Sequence, residues 1–118
     1  MERLKTRSEF RAAAAGKRIS QQGFVLQARK IVSDEARPPR FGFTVTKRIG
    51  NAVVRNRIRR RLREAVRLAG AASGKSGTDY VLVGRRAVLS LDFERLVTDL
   101  LSGITALSKR ADALKPRS

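Results

Sequence analysis

Apolar residues recur along this chain with two different periods, and the switch between them marks its elements. From Phe24 to Val32, the residues Phe24, Leu26 and Ala28 alternate with Val25, Gln27 and Arg29, which predicts a strand with one apolar and one mixed face. Phe41 to Lys47 repeats this, with Phe41, Phe43 and Val45 on one side and Gly42, Thr44 and Thr46 on the other. The two strands are expected to pair antiparallel, aromatic faces toward the core. Between them, Asp34, Glu35 and Pro38-Pro39 mark an exposed connection from Ser33 to Arg40. Tyr80-Val81-Leu82-Val83, within Asp79 to Arg85, predicts a short buried strand.

Other segments follow helical spacing. Thr6-Arg7-Ser8-Glu9 has the form of a capping box ahead of the alanine run Ala12–Ala15, so a short first helix carrying Phe10 and ending at Gly16 is predicted. Gly50-Asn51 opens a second helix that runs to about Ala69 and stops at Gly70. Gly70 to Thr78 is small and polar, a flexible loop. Ser90 is the expected cap of a last helix with Asp92 and Glu94 in its first turn, where the helix dipole favours anions. Phe93, Leu96, Val97, Leu100, Leu101, Ile104 and Leu107 form its core stripe, and the tail from Lys109 is expected to fray. The order α-β-β-α-β-α, with room for one more short strand before Phe24, predicts a single α+β domain over residues 1–118. Its architecture is a small α-β sandwich on a mixed sheet of about four strands.

The second helix changes the picture. At roughly 100° per residue, Val54, Ile58, Leu62, Ala65, Val66 and Ala69 fall on one side. Asn56, Arg60, Arg63 and Arg67 hold the centre of the other, with Arg57 and Arg59 toward its margins. Arg61 borders the apolar stripe, where its stem can snorkel, and Arg55 projects on the apolar side at the helix start. Seven arginines and one acid, Glu64, lie between Arg55 and Arg67. An ordinary solvated face mixes signs to gain i,i+4 pairs worth roughly 0.2–0.5 kcal/mol each. Here Arg55–Arg59, Arg57–Arg61 and Arg63–Arg67 repel, so a polyanion is the expected partner.

Composition points the same way. The net charge is +17, from 27 Lys+Arg against 10 Asp+Glu in 118 residues, with 42% hydrophobic content, enough for a folded core. Arginine outnumbers lysine 20 to 7, which suits phosphate and base contacts, although a GC-rich genome also favours arginine codons. The absence of Cys and His removes disulfides, thiolate nucleophiles, the usual zinc sites and imidazole acid–base chemistry. No apolar run approaches the ~20 residues of a membrane span, and no signal-peptide core follows Met1-Glu2-Arg3-Leu4-Lys5. A cytoplasmic protein with no membrane partner is expected.

Among polyanions, DNA is disfavoured because a strand, not a first helix of a helix-turn-helix, precedes the basic helix. A membrane surface would call for bulkier apolar residues and aromatics. Folded RNA fits, since arginine reads backbone and shape without a groove code. Gly70-Ala71-Ala72-Ser73-Gly74-Lys75-Ser76 is one residue short of a Walker A loop and precedes a strand instead of opening a helix. Asp34-Glu35 and Asp92/Glu94 offer no hydrolytic or metal site.

The run Phe41-Gly42-Phe43-Thr44-Val45-Thr46-Lys47-Arg48-Ile49-Gly50-Asn51-Ala52-Val53-Val54-Arg55-Asn56-Arg57-Ile58-Arg59-Arg60 resembles the signature of the bacterial ribonuclease P protein subunit. The likeness extends to Leu4-Lys5 through Phe10, the Phe24-Val25-Leu26 strand, the Tyr80 strand and the Phe93 helix. It implies an α-β sandwich with an arginine-rich crossover helix that joins the ribonuclease P catalytic RNA. That ribonucleoprotein is an endonuclease, a hydrolase that removes the 5′ leader of precursor tRNA. The resemblance also implies that the RNA holds the catalytic Mg²⁺ and that this chain contributes no catalytic residue, no metal site and no DNA contact.

Carried to matching positions, Arg55, Asn56, Arg57, Arg59, Arg60, Arg63 and Arg67 would contact the catalytic RNA, with Lys47 and Arg48 as further phosphate contacts. Phe10 matches an aromatic of the leader-binding cleft, with core packing as its alternative, and Gln27, Arg29, Thr44 and Thr46 would line the leader's path. Family members often carry further aromatics where this chain has Ala13-Ala14 and Gln27. With fewer platforms, each worth ~1–3 kcal/mol of base stacking, leader binding is expected to lean on phosphate and polar contacts. A ribosomal or RNA-chaperone protein and a DNA-architectural protein are the competing readings.

Overall fold

In the computed structural model, which describes residues 2–4, 7–8, 16–30, 37–70 and 73–113, five strands form one sheet. They are β1 (Glu2–Arg3), β2 (Lys17–Ser20), β3 (Phe24–Lys30), β4 (Arg40–Thr44) and β5 (Thr78–Gly84), in the order β1-β4-β5-β3-β2. The predicted first helix, with Phe10, lies outside the described residues apart from Arg7 and Ser8, as does the tail beyond Ala113.

β3 and β4 do not pair as expected. β5 inserts between them, parallel to β4 and antiparallel to β3. The physical reason is composition: β5 buries Tyr80, Val81 and Leu82 and so can be covered on both faces, whereas β3 and β4 each carry polar residues on one. β4 also ends at Thr44, because Lys47–Ile49 wind into a 3₁₀ turn that leaves exposed Thr46 outside the sheet. The short edge strand β1 has no counterpart in the predicted elements; it pairs through Glu2↔Arg40 and Arg3↔Phe41.

Two helices cover the apolar face. α1 (Ala52–Ala65) starts where the Asn51 side chain accepts the Val54 amide at 3.0 Å, and it continues as a π turn over Val66–Gly70. α2 spans Phe93–Ala113, past the point where the tail was expected to fray. Ser90 is not its cap: the Ser90 hydroxyl turns back to the Ala87 carbonyl at 3.3 Å, and the Asp92 carbonyl accepts the Leu96 amide at 3.2 Å. Ile58, Leu62, Ala65 and Val66 from α1 and its π turn meet Leu96, Leu100, Ile104 and Leu107 from α2 over Phe24, Leu26, Phe41 and Leu82. Leu101 leaves the predicted stripe and is exposed. Close approach of α1 to the sheet depends on Gly84, where a Cβ would stand 2.8 Å from Ile58 Cγ2.

The sheet's second face carries Gln27, Thr44, Val81 and Val83, with Leu4 packed on the two valines. At one end, buried Asp79 accepts Arg40 Nε and Nη2 at 2.9 and 2.8 Å and faces Arg37 Nη2 at 3.0 Å. These pairings neutralise a carboxylate that would be costly to bury alone.

Candidate nucleic-acid interface

The arginines of α1 divide into two groups. Arg57 and Arg60 are exposed and have no ion pair or hydrogen bond among the described residues, and Asn56 is exposed beside them. Arg59 Nη1 donates to Asn56 Oδ1 at 3.1 Å, which links two candidate contacts on one surface. Lys47 and Arg48, on the turn before the helix, are exposed and likewise without a partner on the described chain. Among the described residues, no acidic side chain pairs with this cationic surface.

The remaining arginines are engaged. Arg55 Nε donates to the Gly50 carbonyl at 3.2 Å, and Arg86 Nη1 donates to the Ile49 carbonyl at 2.9 Å. Two guanidinium groups thus hold successive carbonyls and set the Lys47–Ile49 turn against the start of α1. Arg61 Nη2 donates to the Leu91 carbonyl at 2.6 Å, with its guanidinium 5.9 Å from the Phe93 ring centroid. The expected snorkelling is not what forms: the Arg61 Nε is buried without a hydrogen-bond partner, and the head is held against the entry of α2 instead of reaching water. Arg67 forms an ion pair with Glu64, its Nε 3.0 Å from Oε1. The Arg67 hydrogen bond holds the Glu64 carboxyl below its ordinary range, and the same bond raises Arg67.

Arg63 departs from its expected place at the centre of the outward face. It is half-buried, its guanidinium lies 5.9 Å from the Phe43 ring centroid, and its Nε is buried without a hydrogen-bond partner. Helical angle alone does not register the sheet edge beneath it.

Of the residues expected along the leader's path, Gln27, Arg29 and Thr44 share the second face of the sheet, while Thr46 lies beyond the end of β4. Phe10 lies outside the described residues. Sequence reasoning missed Arg86. The Arg85-Arg86 doublet was visible, but its proximity to the Lys47 turn depends on β5 lying beside β4.

No helix among the described residues is long and apolar enough to cross a membrane. They also include no group of three His, Cys, Asp or Glu side chains able to hold a metal ion.

The Ribonuclease P family model matches residues 1–108. A ribonuclease P protein component from Gluconacetobacter diazotrophicus is 50% identical over 99 residues, covering 83% of this chain and 84% of the relative. One from Brucella suis is 39% identical and covers 98% of this chain and 86% of its own. Among solved structures, the ribonuclease P protein of Thermotoga maritima superposes with a TM-score of 0.64 at 27% identity, over 100% of this chain and 99% of that one. The Staphylococcus aureus protein shares the fold, with a TM-score of 0.67 at 21% identity over 94% and 95% of the two chains.

Proposed function

The chain belongs to the ribonuclease P protein family, and from that premise we propose how it serves as the protein component of a tRNA 5′-processing endoribonuclease. Its partner is the ribonuclease P RNA, which docks on the exposed surface made by Asn56, Arg57, Arg59 and Arg60 with Lys47 and Arg48. The observation that carries this reading is the lack of any protein counter-charge, among the described residues, for Arg57, Arg60, Lys47 and Arg48, on a chain of net charge +17. Phosphates supply that charge and release counterions on binding.

Precursor tRNA is the substrate, and its single-stranded leader crosses the second face of the sheet past Gln27, Arg29 and Thr44. The RNA holds the Mg²⁺ that supplies the hydrolytic chemistry. Supporting this division, the Glu64, Asp79 and Asp99 carboxylates are each engaged by an arginine. This chain's own residues bind and orient RNA.

Reconstitution tests the reading. The protein is added to a bacterial ribonuclease P RNA at low Mg²⁺, and 5′ cleavage of a precursor tRNA is followed. Stimulation is expected. No stimulation would sink the proposal, and cleavage by the protein alone would sink the assignment of the chemistry to RNA.

A further inference from the structure

The turn that carries Lys47 and Arg48 has little of its own to hold it. It buries no residue, and Thr46 at its N-terminal end makes no side-chain capping bond. Its internal closure is the Ile49 amide, which donates to the Thr46 carbonyl at 3.1 Å. Two like charges adjacent in sequence repel, so a short exposed turn of this kind would sample many shapes if nothing else held it.

Further support comes from a distant part of the chain. β4 and β5 run parallel with Thr44 opposite Val83, so both strands release the chain at the same end of the sheet. β4 leads into the Lys47–Ile49 turn, and β5 leads into a second 3₁₀ turn, Arg86–Leu89. That second turn is anchored. Val88 is fully buried, its amide donates to the Arg85 carbonyl at 3.1 Å, and the Arg85 amide donates to the Gly23 carbonyl at 2.8 Å. From this base the exposed Arg86 side chain reaches across, and its Nη1 donates to the Ile49 carbonyl at 2.9 Å. Gly50 keeps the space open, since a Cβ there would stand 3.0 Å from Val54 Cγ1 and 3.5 Å from Arg86 Nη1.

We propose that Arg86 is a positioning residue for docking on the catalytic RNA: it presets the Lys47–Arg48 turn in the shape that meets phosphate, and takes no phosphate itself. The proposal rests on the RNA contact proposed above for Lys47 and Arg48. A single exposed bond adds little to the stability of the fold. It does remove turn shapes that would otherwise be given up on binding, and that saving appears as affinity. Arg86 thereby acts on RNA through residues far from it in sequence, tied by a bond that spans 37 positions.

The test is a mutant cycle on the full chain, with affinity for ribonuclease P RNA and urea unfolding measured on every variant. Arg86→Ala should weaken RNA binding about threefold to tenfold, the scale of one lost hydrogen bond, and should speed hydrogen exchange at the Ile49 amide. Arg86→Lys, which keeps a donor, should restore part of the affinity. In a Lys47→Ala/Arg48→Ala background, Arg86→Ala should cost less than about twofold and leave the salt slope unchanged, because the turn then has no cation to present. Gly50→Ala, which crowds the turn without changing any charge, should behave alike, with a loss in the wild-type background that fades in the double variant. Equal weakening by Arg86→Ala in both backgrounds overturns the proposal. So does a salt slope lower by about 0.9 in the double-variant background, which means that Arg86 takes a phosphate itself. An Arg86→Ala protein with wild-type affinity overturns it as well, and leaves the RNA contact of the turn standing. Full affinity in Lys47→Ala/Arg48→Ala overturns that contact and the positioning role with it.

Discussion

The guanidinium of Arg63 lies over the ring of Phe43, 5.9 Å from its centroid, so an arginine that helical spacing points outward is laid against the sheet. The cause is local. Among the described residues β1 pairs with β4 only as far as Phe41, and half-buried Phe43 lies at a stretch of strand that the Arg63 stem can cover. A double-mutant cycle of Phe43→Leu and Arg63→Ala, measured by urea unfolding, should give a coupling of about 0.5–1 kcal/mol. Additive effects would show that the two side chains do not interact in solution.

Glu64 is the only acid in the arginine cluster, and it occupies Arg67 through an exposed ion pair. Replacing it with Gln releases Arg67 and adds a unit of positive charge to the same surface. Affinity for ribonuclease P RNA should rise about twofold to threefold at low salt, and the gain should shrink as salt screens it. Weaker binding would mean that the pair orients Arg67 for the RNA.

Much of this site was legible because helix and strand periods are local properties. The apolar side of α1, the Asn51 start and both faces of β3 and β4 all follow from residue spacing. The pairing of strands is not local. Nothing in Phe24–Val32 or Phe41–Lys47 says that β5 will come between them, because that outcome depends on which strand can be buried on both faces. Everything that depended on this insertion was hidden as well, including the reach of Arg86 to Ile49 and the neighbours of Arg85. Arg63 was misplaced for a related reason: a helical wheel has no sheet edge in it.

Tyr80 stacks on Phe41 with ring centroids 5.1 Å apart, and its hydroxyl accepts the Lys75 amide at 2.9 Å. Burial raises its pKa, opposed in smaller part by that amide. In the unfolded chain the phenol ionises near pH ~10, so above that pH the unfolded state binds fewer protons than the native one. The contribution is whole below the unfolded pKa and is lost as pH rises through the folded one. Tyr80→Phe should reduce stability by about 0.5–1.5 kcal/mol at neutral pH, because the Lys75 amide then has no acceptor. The deficit should narrow in urea titrations above pH ~10. A deficit that does not change with pH would contradict the linkage.

The division among the α1 arginines gives the sharpest test, because neighbours of one residue type are assigned different tasks. Arg57 and Arg60 are exposed without a partner among the described residues, whereas Arg61 holds the Leu91 carbonyl and lies over Phe93. Replacing Arg57 and Arg60 together with Ala removes two candidate phosphate ligands and disturbs no hydrogen bond within the described fold. Stability should stay within about 0.5 kcal/mol of wild type. The slope of log affinity for ribonuclease P RNA against log salt should meanwhile drop by about 0.9 for each phosphate no longer neutralised. Arg61→Ala should do the reverse. It leaves the Leu91 carbonyl without its donor and loosens the entry of α2, so stability should fall by about 1–3 kcal/mol. The salt slope should hold near its wild-type value once the measurement is made where the variant is folded. Parallel urea unfolding and salt-titrated RNA binding on both variants separate these outcomes. Equal effects on the two measurements would mean that α1 acts as one undivided basic surface.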